Sequence, residues 1–436
     1  MKIVPSGSAG SRARTAAVSA FVLALAAWPP TLALAQSADA PATASRVLTL
    51  NEALSLAAAA DPARPGVDAR LRAVDASVRQ ADVRPNPTVG LMVENLPTLG
   101  GGDILNRTET TLSYEQRLER GGDRPARTAL ARSEGALALA RARIAQLDRL
   151  ELVQRAWTDV LAAEANLEIA RERLMLAERF QTEVQRRVDA ARDPLFAGAR
   201  AEAELAQAQI DFDQSEIALR TAKINLARFW MGRSDFSLGA SVFEDTSAAR
   251  VAAGEAAQAD LDLFLAQRAI ADAQLQVEEA RAVPDPTVSV GVRHIWDNEL
   301  SLVFGGSIPL QRYDRNQGAI ELARANGTVA QADLTAFQVE TEREIARLQV
   351  QLVARATEAR RITDETLPQA ERAVVLVREG FGRGGFTYND VIAAQTALLQ
   401  VKARRVAVLQ AFHNDRARLD RLTGAHAALL GLETPQ

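Results

Sequence analysis

Few residues in this chain stand where bond chemistry would need them. There is no cysteine, which removes disulfides, thiolate metal centres and a lipid-modified cysteine at the mature N-terminus. The three histidines, His294, His413 and His426, lie far apart, and none forms the HxxxH or HExxH spacing that puts ligands on one helix face. The methionines do not cluster, and there is neither a GxSxG motif nor a paired nucleophile and base. The residues therefore argue against an enzyme and supply neither a cofactor cradle nor a protein-encoded metal site. One phosphate-like pattern exists. Gly380-Phe381-Gly382-Arg383-Gly384-Gly385 fits GxGxxG, but it follows a long helix instead of a strand and so fails the context of a dinucleotide loop. It reads as a tight turn between coiled helices. Asp390 lies just past that turn, where Asn389-Asp390 is also a helix-start signal.

The elements that position these residues are unusual. The stretch 120–192 contains no proline and is dense in Ala, Leu, Glu, Gln and Arg, all strong helix formers. Leu130, Leu137 and Ile144, then Val153, Val160, Leu167 and Leu174, return at heptad-like spacing. As one helix it would span on the order of 100 Å. The stretch 315–379 repeats the pattern. With 47% hydrophobic but only 5% aromatic residues, the composition is that of coiled coil. The net charge is -4, with both signs interspersed along the rods, so nothing points to nucleic acid as a partner.

Taken in order, residues 1–35 read as a signal peptide. Lys2, Arg12 and Arg14 are followed by an apolar run too short to span a bilayer, then by cleavage between Ala35 and Gln36. Two repeats follow, 36–254 and 255–436. The first is expected to hold short helices, a strand pair at about 87–116, the long helix 120–192, a return helix 200–231 and a mixed segment up to 254. The second is expected to hold a helix 260–282, a strand pair at about 287–309, the long helix 315–379, a return helix 389–423 and a tail. Pro85-Asn86-Pro87 falls on Pro284-Asp285-Pro286, and Gly232 falls on Gly424. Pro368 interrupts the second rod, while the aligned segment 174–177 has no proline. An interior proline kinks a helix, so the second helical pair is expected to bend.

Four strands cannot close a barrel, and open sheet edges are not tolerated in lipid. If the strands span a membrane, several chains must share one barrel, and three chains would supply twelve strands. Tyr114, His294 and Trp296 would then suit interfacial aromatic girdles. Two hairpins in a soluble α+β domain remain the alternative.

At this point the chain resembles the TolC-like outer membrane efflux proteins over nearly the whole mature length, and within them the CzcC-type branch that serves heavy-metal RND pumps. The resemblance is carried by Asn86-Pro87 with Glu94-Asn95, by 118–124 (LERGGDR), by Ile308-Pro309-Leu310, by Arg315-Asn316-Gln317-Gly318 and by 386–395 (FTYNDVIAAQ). It implies a mainly α fold with a small β part: a duplicated coiled-coil barrel whose four strands per chain join a twelve-stranded barrel in a homotrimer. It further implies an exit duct in the outer membrane of a Gram-negative bacterium, reaching into the periplasm toward a membrane-fusion adaptor and an inner-membrane RND pump. The two turns become periplasmic tips, with Arg187, Arg192, Arg378, Gly380, Arg383 and Gly384 facing the adaptor. Asp390, in three copies, becomes an acidic ring that favours cations, and Pro368 part of a movable gate. The chain departs from the family at Ala393, where a second acid is common, and from the branch at Asp123, where lysine is common. Heavy-metal cations are the first expected cargo. Drugs, solvents or secreted proteins are alternatives, and an exported coiled-coil scaffold without a pore is a further one.

Overall fold

A computed structural model describes residues 46–95, 108–250, 254–295 and 299–431. The cleavage pair Ala35 and Gln36, the glycine-rich loop 96–106 and Trp296 lie outside the described residues.

The chain starts with β1 (Arg46–Val47) and α1 (Leu50–Ala59), whose N-cap Thr49 and N3 residue Glu52 form a reciprocal capping box. The exposed α2 (Arg64–Ala81) has Pro65 in its first turn and buries none of its residues. The hairpin β2 (Thr88–Glu94) and β3 (Glu109–Arg117) follows. Gly122 then adopts φ 82 at the N-cap of α3 (Asp123–Asp189), a backbone state that costs glycine little. At 67 residues α3 is about 100 Å long.

The return helix α4 (Leu195–Ala227) begins directly after Pro194, earlier than the expected start at 200, because Pro194 caps it in an extended conformation. The segment expected to be mixed contains β4 (Phe236–Ser237), which pairs in parallel with β1, and α5 (Ala240–Glu244). The second half supplies α6 (Gln258–Arg281), β5 (Thr287–His294) and β6 (Leu300–Ser307), then α7 (Gln317–Arg361), α8 (Leu367–Gly382) and α9 (Tyr388–Thr423). No helix among the described residues is long and apolar enough to cross a membrane.

One antiparallel sheet has the order β2-β3-β5-β6, so β3 and β5 join the two halves. The first rod is the hub of the helical part: α1, α2, α4, α6 and α9 all pack on α3. The main core lies midway along it. There Leu150, Val153, Trp157 and Leu161 of α3 meet Leu54 of α1, Leu226 of α4, Phe236 of β4, Phe243 of α5 and Leu409 of α9. Polar pairs reinforce the α3–α9 seam. Buried Arg421 is held by Asp260 and Asp148, and Gln154 donates to Asp420 at 2.9 Å. Burial of this cation is compensated because both carboxylates hydrogen-bond to it; they hold its pKa well above the ordinary arginine value despite desolvation, the largest single effect.

The second rod differs from the first. Pro368 does not break it. A π-turn, Ile362–Thr366, links α7 to α8, and Leu367 N–H bonds back to the Ile362 carbonyl five residues earlier. The wider turn falls where Pro368 lacks the N–H that an α-helix would need. The helix also runs on through Gly380 and Gly382, which the sequence reading placed in the break.

Candidate functional site

The sheet has two chemically distinct faces. Paired residues of antiparallel strands point to the same side, so the register sets Leu91, Leu112, Val292 and Leu302 in one row and Val89, Tyr114, Val290 and Phe304 in the next. These side chains are 43% to 76% exposed, a contiguous apolar surface left uncovered by the other described residues. His294 closes β5 on the same side, while Tyr114 sits within β3, not at its end. The other face is polar. Glu94, Glu109, Thr111, Ser113, Glu115, Ser289 and Arg293 lie there, and along β5 Val288, Val290, Val292 and His294 are exposed while Thr287, Ser289, Gly291 and Arg293 are half-buried or buried. A strand set about 23–30 Å long, apolar on one face and polar on the other, suits a barrel wall with lipid on one side and water on the other.

The sheet is pinned to the rods at its other end. Arg117 Nε and Nη2 donate to Asp285 Oδ2 at 3.0 and 2.8 Å, and the Arg120 amide donates to Asp285 Oδ1 at 2.9 Å. Asp285 is buried at 8% exposure. Sequence reading noted Pro284-Asp285-Pro286 only as a repeat marker; the acid between two prolines was the available signal. In the second half Asn316 Nδ2 reaches Glu278 at 2.9 Å and, with Arg281 and Gln274, holds that carboxyl below its ordinary pKa.

At the opposite end of the rods the two helical turns meet. Phe180 and Val184 of α3, Ala197 and Ala201 of α4, Phe381 of α8 and Val391 of α9 form a separate apolar cluster. The rings of Phe180 and Tyr388 lie 4.9 Å apart. Arg187, expected to face the adaptor, is half-buried at the tip. It forks onto Asp193 at 2.8 and 3.0 Å, donates to the Phe381 carbonyl at 3.2 Å and lies 4.5 Å from the Phe381 ring. It therefore ties the first turn to the second. Arg200 makes a second tie, to Asn389 Oδ1 at 2.9 Å and over the Tyr388 ring. No local pattern around Arg200 points to it.

The remaining tip residues divide by position. Arg192 and Arg383 are exposed within the two turns. Arg378 is exposed and lines a groove between α3 and α8 with Arg179, Glu183 and Glu379. Gly380 is required for contact: a Cβ there would lie 2.1 Å from the Phe386 ring. Gly384 turns the chain with φ 79. Leu195 and Phe196, 83% and 71% exposed, form an apolar patch beside the first turn that sequence reading did not single out.

Asp390 is neither N-cap nor free. Thr387 is the N-cap of α9 and Asp390 its N3 partner; the carboxylate accepts from the Thr387 amide and hydroxyl, both at 2.7 Å. Those two bonds, the hydroxyl first, hold its pKa below the usual aspartate value, so the exposed carboxylate keeps its charge to lower pH. Asp123 opens α3, where the branch often has lysine; its Oδ2 is buried without a hydrogen-bond partner among the described residues.

Long duplicated rods, a two-faced open sheet and a tied helical tip define a channel-forming outer-membrane protein. The comparisons agree. The family described as outer membrane efflux protein matches residues 49–230 and 252–425. The cobalt-zinc-cadmium resistance protein CzcC of Cupriavidus metallidurans is 30% identical over 417 residues, covering 92% of this chain and 98% of that protein. The nickel and cobalt resistance protein CnrC of the same organism is 30% identical over 316 residues, 72% of this chain and 74% of its own length. Among solved structures, the outer membrane protein VceC of Vibrio cholerae superposes with a TM-score of 0.66 at 20% identity, covering 88% of this chain and 97% of VceC. This chain belongs to the outer membrane efflux protein family, and its function is that of an outer-membrane efflux channel.

Proposed function

We propose that three copies of this chain form the outer-membrane exit duct of a tripartite, RND-type efflux system, and that its cargo is a heavy-metal cation. The observation that carries the duct is the open sheet: among the described residues β2 and β6 each have a strand neighbour on one side only, and one face is exposed and apolar. Three such sheets would satisfy their edges by joining as twelve strands, with the apolar faces in lipid and the polar faces around water. The cargo rests on the relatives, whose names specify resistance to cobalt, zinc and cadmium or to nickel and cobalt. The rods then extend into the periplasm. The tips carrying Arg192, Arg378 and Arg383, shaped by Gly380 and Gly384, meet the adaptor, and Arg187 sets their form from within. Asp390 supplies one carboxylate per chain to an acidic ring at the periplasmic entrance, and Pro368 with its π-turn is the flexible point of the gate. The duct performs no bond chemistry.

The test is deletion of the gene followed by growth on zinc, cobalt, cadmium, nickel and a panel of drugs, with plasmid-borne complementation. Metal sensitivity restored by the plasmid is expected. Sensitivity confined to drugs would remove the metal cargo. A product that stays monomeric in mild detergent would remove the duct.

A further inference from the structure

The strands hand over to the rods through two short segments that share a pattern. Leu118-Glu119-Arg120 follows β3 and Leu310-Gln311-Arg312 follows β6, each with a leucine and an arginine two residues apart. In both segments that leucine and that arginine are exposed. The second segment adds Tyr313 and Arg315, also exposed. Leu310 and Tyr313, at 86% and 84%, are the two most exposed large apolar side chains among the described residues. They do not sit on a loose loop. Gln311 Nε2 donates to the Arg281 carbonyl at the end of α6 at 3.3 Å, and the Arg312 amide closes a tight turn onto the Leu310 carbonyl at 2.8 Å. The Arg312 guanidinium stands 5.6 Å from the centre of the Tyr313 ring, and Arg315 Nε donates to the Gln311 carbonyl at 3.4 Å. Around the same junction Arg117, Arg124, Arg127 and Arg281 each pair with a carboxylate. The side chains of Arg120, Arg312 and Arg315 form no ion pair among the described residues.

Their place along the sheet determines what they meet. On β6 the apolar side chains are Leu300, Leu302 and Phe304, and Gly306, Ile308 and Leu310 follow at the same two-residue interval, all exposed. Along an extended chain tilted by about 40°, the row from Leu300 to Leu310 is about 25 Å high, the height of the apolar band of outer-membrane barrels. The apolar face therefore ends at Leu310, and the unpaired guanidiniums come just after it, toward the rods. At such a border a tyrosine keeps its ring at the acyl boundary and its hydroxyl among headgroups, and long basic side chains extend into the headgroup layer. A planar guanidinium offers paired donors to a phosphate. We propose that these two segments form a phospholipid-binding collar at the periplasmic rim of the barrel: Leu118, Leu310 and Tyr313 enter the acyl chains of the inner leaflet, and Arg120, Arg312 and Arg315 hold the phosphodiester headgroups. This rests on the duct reading above, which puts the rods in the periplasm. Two segments per chain give six around three copies.

The chain has no cysteine, so single-cysteine variants of the full-length protein each carry one nitroxide label without background. In vesicles of phosphatidylethanolamine and phosphatidylglycerol, a label on Leu310→Cys should collide with dissolved oxygen in preference to a water-soluble nickel chelate. A label on Arg233→Cys, in the exposed turn after α4, should show the reverse. A label at 310 as open to the chelate as the one at 233 overturns the proposal. So does a label at 310 shielded from both, which would bury the segment against a second copy. The headgroup contact is read by counting lipids retained on the delipidated protein by native mass spectrometry. One arginine near a lipid surface contributes about fivefold to binding. Arg312→Gln/Arg315→Gln should therefore weaken phosphatidylglycerol binding about 25-fold and leave diacylglycerol, the same chains without phosphate, unchanged. An equal loss for both lipids, or no loss, overturns the role of the arginines. Displacement of phosphatidylglycerol by millimolar inorganic phosphate would make this a site for a free anion and overturns the lipid assignment. A wild-type protein that does not enter vesicles as an oligomer would remove the duct reading itself, a result distinct from an inserted oligomer whose collar stays in water.

Discussion

Arg187→Ala cuts the main tie between the two helical turns and should loosen the tip while leaving the middle of the rods alone. The side chain makes three charge-assisted bonds, two to Asp193 and one to the Phe381 carbonyl, and lies against the Phe381 ring. Arg187 and Asp193 are 19% and 17% exposed, so water screens the pair only partly. Bonds of this kind contribute on the order of 1.5–3 kcal/mol when buried, and the ring contact on the order of 0.5–1 kcal/mol. All share one flexible side chain near the surface, so the parts do not add, and the loss is about 2 kcal/mol. That is roughly a thirtyfold increase in local opening. Hydrogen–deuterium exchange of the detergent-solubilised protein, read by mass spectrometry, reports it directly. Peptides covering 186–193 and 380–386 should exchange faster by that factor, whereas peptides covering 150–161, in the core built on Val153 and Trp157, should not change. Arg187→Lys should recover less than half of the protection, because an ammonium cannot make the fork. Equal acceleration at tip and core, or none at the tip, would refute the argument that Arg187 locks the turns together.

Leu302→Arg, on the exposed apolar face of β6, should cost about 2–4 kcal/mol in lipid and deplete the heat-modifiable oligomer from outer-membrane fractions; a substitution of similar size at Ser301, on the polar side, should not. Phe412 is fully buried among Leu348, Leu352 and Leu419, so Phe412→Ala should cost about 3–5 kcal/mol, read as a lower melting temperature. His413 is desolvated against Phe243, only partly offset by that residue's carbonyl and by Asp245, and its pKa falls below the ordinary 6.5. A depressed histidine contributes its full stability above the unfolded pKa and loses it as pH falls below that value, so the melting temperature should drop on acidification from pH 6.5, and less so in His413→Leu. Pro368→Ala restores the N–H whose absence favours the π-turn, and should shift resting conductance in planar bilayers; unchanged conductance with normal assembly would show the turn has no part in the gate.

How much of this was legible in the residues depends on the range over which each feature is encoded. The rods were legible because Val153, Val160 and Leu167 mark a buried seam locally, and all three are buried. The strands were legible because Val288, Val290 and Val292 alternate with small and polar neighbours, and the pleat follows that period. Ties between distant segments were not. Arg187 and Phe381 are 194 residues apart, so the arginine was legible as a tip residue but not as the tie between the two turns. Arg117 and Asp285 are 168 apart, and the junction they pin gave no local signal beyond an acid between prolines. Gly380 and Gly382 looked like a helix end. The helix instead runs to Gly382, and Phe386 folds back into the space that a side chain at 380 would fill. Asp390 was read at the right helix start but three residues from the cap, since Thr387 satisfies the N-terminus first.

The duplication hides an asymmetry that bears on how such a duct could open. The first rod is one unbroken helix, buried on several sides by other elements. The second contains a π-turn, and that turn is held from outside: Arg405 of α9 donates to Thr363 Oγ1 at 2.8 Å and pairs with Glu244 at 2.9 Å. An extra residue in one turn changes the phase of everything beyond it by about 100° per residue gained or lost. Below the turn, Lys402 of α9 bonds Glu172 of the first rod at 2.6 Å and approaches Glu371 of α8 only to 3.9 Å. Lys402 therefore bridges the first rod and the segment past the π-turn, with the shorter contact to the first rod.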